Sequence, residues 1–236
     1  MRRIWMSRRG AAGLAFFVIV AGGIAIDAAL AEDGSYTAPP KGFQITWTRT
    51  VSDGGKVTRD TLVHRVTASK GDEVIYKVVE KDGDEVRLLR GIFSYAYWRP
   101  EQGWAEYKFD KAAIRALWPL KPGKQARVKM EYGYGLAKTE ADGKKTWART
   151  ETGSIHYKVL RREKVTVPAG TFDTVMIQRD RSFTKLGDKK IIASRRIGWL
   201  APSLGYVVKQ VMLYEPSNPK GRQMTLEAVS IKRSSK

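Results

Sequence analysis

Apolar and polar residues alternate along most of the chain beyond residue 42, and that alternation predicts β-strands. Over 43–51, Phe43, Ile45, Trp47 and Val51 share one face, while Gln44, Thr46, Thr48 and Thr50 share the other. A period of two marks a half-buried strand. Arg49 is the exception, a charge in register with the apolar set. Residues 52–55 supply a turn, and 57–68 return as a second strand. The run 73–80, the polar tip 81–85 and the run 86–98 predict a further hairpin, with Asp82-Gly83 suited to positive φ. Asp82, Asp84 and Glu85 lack the ligand spacing of a calcium loop, so the tip is read as a turn.

The C-terminal half repeats the theme. Strands are predicted at 125–136, 145–151, 153–167, 171–185, 190–200, 205–214 and 223–232, separated mostly by short segments rich in Pro, Gly, Asn and Asp. One segment changes period. Asp110 can N-cap a helix over 111–118, with Ile114, Leu117 and Trp118 on one face and Phe109 placed to staple against Ile114. Pro119 and Pro122 end it. Such strands, joined mostly by short turns with one helix among them, predict a mainly β fold. The expected form is a curved antiparallel sheet or half-open β-barrel around one central helix, with a closed barrel as the alternative. No internal repeat or linker divides residues 43–236, which are expected to form a single β-rich domain.

The N-terminus breaks the pattern. Arg2, Arg3, Arg8 and Arg9 precede an apolar or small-residue run from Ala11 to Ile26, and Ala29-Leu30-Ala31 supplies small residues for cleavage. This is the layout of a signal peptide over 1–31, cleaved near Ala31. The run falls short of the roughly 20 residues of a spanning helix. Ser7-Arg8-Arg9 carries a twin-arginine pair without bulky apolar residues after it, which leaves Sec and twin-arginine export both open. Residues 32–42, with Pro39, Pro40 and Gly42, read as a linker-like N-terminus. The whole chain has 236 residues and a formal charge of +19. Loss of 31 residues, four of them arginine and one aspartate, leaves 205 residues and a charge of +16.

Cysteine is absent, which removes disulfides, thiolate metal sites, thiol catalysis and a lipidated N-terminal cysteine together. A cysteine-free exported chain of this size fits the bacterial periplasm. The excess of positive charge suggests polyanionic partners. For an exported protein these are a lipid or an anionic envelope polymer, reached through peripheral membrane contact, and not nucleic acid. The basic residues are also spread along the chain, as on a generally basic solvated surface.

Signatures of catalysis are sparse. His64 is in register with Leu62 and Val66 and so faces the apolar side of its strand; His156 is in register with Lys158 and faces solvent. Neither has the converging ligands of a zinc site. There is no G-x-S-x-G elbow, and Ser182-Phe183-Thr184-Lys185 matches S-x-x-K at a strand end, where the motif needs a helix start. No catalytic residue, metal or cofactor is expected. The aromatic residues are more informative. Leu89, Phe93, Tyr95 and Tyr97 share a face, Trp98 lies opposite, and Trp104 and Tyr107 follow. A stripe of this kind either builds the core or lines a concave site. Phe93, Tyr95, Tyr97 and Trp104 are the candidate ligand-binding residues, because a tyrosine hydroxyl needs a partner that a dry core does not offer.

Three segments carry a resemblance. Pro119, Leu120, Gly123 and Lys124 form a P-L-x-x-G-K turn; Val167, Pro168, Ala169, Gly170, Phe172 and Asp173 form a V-P-A-G-x-F-D hairpin; Trp199, Pro202 and Gly205 belong to a W-x-A-P-x-L-G segment. With these the chain resembles a group of exported bacterial proteins of unknown function. The resemblance implies a fold similar to the periplasmic lipoprotein carriers, a curved antiparallel sheet whose open side can hold acyl chains, and it implies no catalytic residue. Within it, Phe172 is expected as a core anchor of the hairpin and Asp173 as an acceptor for the turn or a nearby cation. The function expected first is non-enzymatic binding of a lipid or other hydrophobic or anionic envelope component. An envelope interaction or scaffold protein without a pocket is the alternative, and a hydrolase or polysaccharide-modifying enzyme comes third.

Overall fold

The computed structural model describes residues 36–79, 84–99, 103–139, 145–185, 191–218 and 220–233. The expected signal peptide over 1–31, the first residues of the linker-like stretch and the Asp82-Gly83 tip lie outside the described residues. The strands are β1 (Gln44–Asp53), β2 (Lys56–Lys70), β3 (Glu73–Val78), β4 (Glu85–Leu89), β5 (Phe93–Arg99) and β6 (Gly103–Phe109). After helix α1 (Lys111–Arg115) come β7 (Gln125–Thr139), β8 (Lys145–Val167), β9 (Gly170–Lys185), β10 (Ile191–Ala201), β11 (Tyr206–Tyr214) and β12 (Gln223–Lys232). Each strand pairs antiparallel with its sequence neighbour. β1 also pairs with β12, from Gln44↔Lys232 to Ser52↔Gln223, which closes the barrel.

The mainly β reading holds, and the half-open form is replaced by the closed one. Closure gives the backbone groups of β1 and β12 partners that two free edges would lack. The helix is not central. It joins β6 to β7 at one end of the barrel, with Ala112, Arg115 and Ala116 exposed and Ile114 and Leu117 buried. Asp110 caps it, accepting from the Ala112 amide at 2.8 Å. Burying two such side chains contributes roughly 1.5–3 kcal/mol each, enough to hold a five-residue helix that would not form alone.

Two further boundaries differ. The run 86–98 divides into β4 and β5, because Arg90 (φ 49°) and Gly91 (φ 68°) turn the chain between them. The predicted strands 145–151 and 153–167 are one strand, β8, of 23 residues. Gly153 lies within it where a Cβ would sit 2.3 Å from the Ser182 carbonyl oxygen and 2.8 Å from the Phe183 ring. It serves close approach of β8 to β9 rather than a break.

The interior holds two apolar clusters. One gathers Leu89, Phe93, Ile114, Leu117 and Tyr157 under the helix, and the other gathers Ile45, Trp47, Val74, Tyr206 and Val208. The outer wall carries exposed Arg127, Lys129, Glu131, Lys164 and Asp173, the reverse of a barrel that faces lipid.

The segments that carry the resemblance pack together at the helix end. Gly123 donates to the Val159 carbonyl, and Lys124 Nζ reaches the carbonyls of Ala116 and Trp118 at 3.2 and 3.0 Å. Pro168 lies in the exposed turn between β8 and β9, where Gly170 pairs with Val167 and Ala169 donates to Ala228. Phe172 is half-buried and pairs with Val165, while Asp173 is exposed and lies 3.8 Å from Lys164 Nζ. Trp199 Nε1 donates to Glu163 at 2.7 Å. Pro202 is exposed in the next turn, which ends on Gly205 at φ 61°. A Cβ on Gly205 would lie 1.9 Å from the Thr37 carbonyl oxygen, so residues 36–39 pack directly on this turn. Tyr36 donates to the Gly205 carbonyl at 3.1 Å, and Ser69 to that of Pro39 at 2.5 Å.

Candidate functional site

A cavity of about 620 Å³ occupies the barrel interior between the helix end and the far end, where it reaches Asp84, Arg99, Tyr214 and Arg222. Its walls follow from strand alternation, which sends every second side chain inward. Most inward positions are apolar or aromatic, as the periodicity requires. The exceptions are arginines.

Arg179 and Arg181 of β9 and Arg196 of β10 line the cavity. The pairing register places them. Arg179 is directly opposite Arg196 and also opposite Tyr157, and Arg196 is in turn opposite Met212. Arg181, two positions along, pairs with Ser194, which pairs with Tyr214. Directly opposed residues have Cβ atoms roughly 5 Å apart and diagonal ones roughly 7–8 Å, so the three guanidinium groups share one patch of wall. Like charges so placed repel. Arg179 is only 6% exposed. The Nε of each of the three is buried without a hydrogen-bond partner. Among the described residues no ion pair joins any of them to a carboxylate.

The surroundings explain the electrostatics. Burial, with Arg179 and Arg181 nearby, pulls Arg196 down to about 9, so it stays charged at neutral pH. Burial also pulls Arg181 below the usual arginine range, with Arg179 adding to the effect. Arg181 lies over the Phe183 ring at 3.7 Å and near Tyr107 at 5.3 Å, contacts that partly replace water. Glu151 also lines the cavity; it is buried and accepts from the Tyr134 hydroxyl at 3.3 Å. Two other cavity-lining arginines have partners: Arg49 holds Asp60, with Nε at 2.7 Å, and Arg99 lies 3.9 Å from Asp84.

Toward the helix end from the arginines, the lining turns apolar and aromatic, with Ile177, Leu226, Leu88, Leu62 and Trp47. His64 stacks on Tyr76 at 4.4 Å with Nδ1 3.3 Å from the Tyr206 hydroxyl, and burial pulls it down to about 3. Burial likewise pushes Tyr76 and Tyr97 up to about 12.

The aromatic residues expected to bind ligand are separated by the fold. Tyr97 lines the cavity, and its hydroxyl bonds that of Tyr132. Phe93 is fully buried against Phe109 beneath the helix. Tyr95 donates to Glu73 at 2.8 Å, with Lys111 Nζ 4.9 Å from its ring centroid. Trp104 is half-buried, with Arg87 4.6 Å above its ring. A shift of register between Arg87 and Leu88 gives Tyr97 a different setting from Tyr95. The arginines were missed by sequence reasoning, although a signal existed: Arg179 and Arg181 are in register with Val175, Ile177 and Phe183. Among the described residues no cluster of three His, Asp or Glu side chains is placed to hold a metal, and no helix is long and apolar enough to cross a membrane.

No protein-family model matches the chain, and no curated protein matches it. Among solved structures it is similar to a Bacteroides fragilis protein described as exported and YmcC-like in fold, with 16% identity over 85% of this chain and 100% of that one and a TM-score of 0.46. The hypothetical lipoprotein YmcC from Escherichia coli matches with 10% identity over 82% of this chain and 86% of its own, at a TM-score of 0.46. A Parabacteroides distasonis protein described as a lipoprotein matches with 14% identity over 85% and 100%, at 0.44.

Proposed function

We propose that the protein is exported to the periplasm and there holds a lipid or other amphiphilic, anionic envelope component inside its barrel, without altering it chemically. The observation that carries this reading is the cavity itself, a largely apolar and aromatic chamber with three arginines in its wall that, among the described residues, no carboxylate pairs. At about 620 Å³ it falls within the roughly 300–1,000 Å³ of small-molecule sites. Buried cations without counter-ions are costly, and an anionic ligand removes that cost. Holding is favoured over chemistry because the interior groups keep their charge states. His64 near 3 and Tyr76 and Tyr97 near 12 are poorly matched to proton transfer at neutral pH. The basic leader and the A-x-A cleavage site support export.

The test is native mass spectrometry of protein purified from periplasm, followed by lipid extraction and by titration with a fluorescent fatty acid. A co-purifying amphiphile, or saturable probe binding, is expected. If no lipid co-purifies and no probe binds, the reading is overturned and a scaffold role without a ligand takes its place.

A further inference from the structure

We propose that the group held by Arg179, Arg181 and Arg196 is a dianion of the phosphomonoester kind, on a molecule whose apolar part lies behind it toward the helix end. This rests on the amphiphile-holding reading and names the headgroup.

The charge count sets the class. Among the described residues, three guanidinium groups without an ion-pair partner line the cavity with the carboxylate of Glu151, a formal excess of two positive charges. Arg49 and Arg99 leave that count unchanged, because Asp60 and Asp84 accompany them. Arg222 is exposed at the far end and lies over the Tyr214 ring. A monoanion such as a fatty carboxylate balances half of the excess, whereas a dianion balances all of it. Unbalanced charge inside a protein is costly, so the difference is felt as affinity.

Donor geometry points the same way. The cross-strand pair Arg179–Arg196 and the diagonal Arg181 occupy adjacent positions on two paired strands, and each retains a buried, unpartnered Nε. Guanidinium forks match phosphate oxygens in pairs. A phosphomonoester presents three terminal oxygens and, with a second pKa of about 6, is largely dianionic at neutral pH.

Orientation follows from the order of the rows. Ser194 and Arg181 are level with Tyr214 near the far end, and Arg196 and Arg179 are one row further in, level with Met212. The next row is Ile177, Gly198, Gln210, Leu226 and Arg49, the last held by Asp60, with Trp47 and Leu88 also lining the cavity. The tail therefore occupies the apolar inner chamber and the headgroup stays with the arginines.

The experiment is calorimetric titration of the delipidated protein at pH 8 with dodecyl phosphate, dodecanoate and inorganic phosphate, each amphiphile kept below its micellar concentration. Dodecyl phosphate is expected to bind at least tenfold more tightly than dodecanoate, with the advantage shrinking toward pH 5 as the phosphate loses its second charge. Arg196→Gln and Arg181→Gln are each expected to reduce that ratio at least fivefold, with a cooperative urea unfolding transition showing that the variants fold. Weak binding of inorganic phosphate assigns the site to a lipid headgroup. Inorganic phosphate binding as tightly as dodecyl phosphate keeps the dianion and assigns it to a free phosphate. Dodecanoate binding as tightly as dodecyl phosphate overturns the proposal and leaves the amphiphile reading standing. Failure of all three ligands to bind removes both.

Discussion

His64 lies inside the barrel between Tyr76 and Tyr206, and its pKa there is about 3. In the unfolded chain it titrates near 6.5. Between those values the unfolded state binds a proton that the folded state does not, so stability falls as pH drops through the window. His64→Phe removes that proton uptake. The variant's urea midpoint is expected to change less between pH 7 and pH 4 than the wild type's, and an unchanged pH slope would count against the assignment. The setting of His64 was legible, because its register with Leu62 and Val66 put it on an apolar face. The three arginines were not, because a charged residue in a strand is assigned to the solvent face unless the register of its neighbours is followed through. Arg49 was noticed for that reason, breaking the pattern of Phe43, Ile45 and Trp47. The same pattern around Arg179 and Arg181 lay between Ile177 and Phe183.

At the scale of elements, alternation located the strands among the described residues, and Asp110 located the helix start. Two boundaries escaped because glycine has two uses. Gly91, inside an apolar run, takes a positive φ and turns the chain; Gly153, read as the start of a strand, lies inside β8 and lets it pass close to β9. The turn ending at Gly205 makes the sharper test. Alanine there would combine a left-handed backbone with a Cβ 1.9 Å from the Thr37 carbonyl oxygen, forcing residues 36–39 away from the turn. The left-handed conformation alone costs roughly 1–2 kcal/mol. Gly205→Ala is expected to destabilise the protein by at least about 2 kcal/mol in urea unfolding. An effect of a few tenths would show that the N-terminal segment is not docked there.

Barrel closure is a property of the whole molecule and could not be read from any local window. It depends on β1 meeting β12 across nearly the full length of the described chain. The cavity escaped for the same reason, since periodicity tells which side chains point inward and not whether they fill the space they enclose. Stability and binding are coupled at that level. The opposed arginines disfavour the empty barrel, so Arg196→Gln is expected to raise the melting temperature of the ligand-free protein by roughly 2–4 °C per kcal/mol of repulsion relieved. The variant is also expected to lose most of the stabilisation that dodecyl phosphate gives the wild type. A variant that melts below the wild type without ligand would contradict the electrostatic account. The packing of the turns at 119–124, 167–170 and 202–205 at the helix end has a last consequence for the proposed reading. A ligand that enters at the far end also leaves there, so its release competes directly with the hold of the arginines on its headgroup.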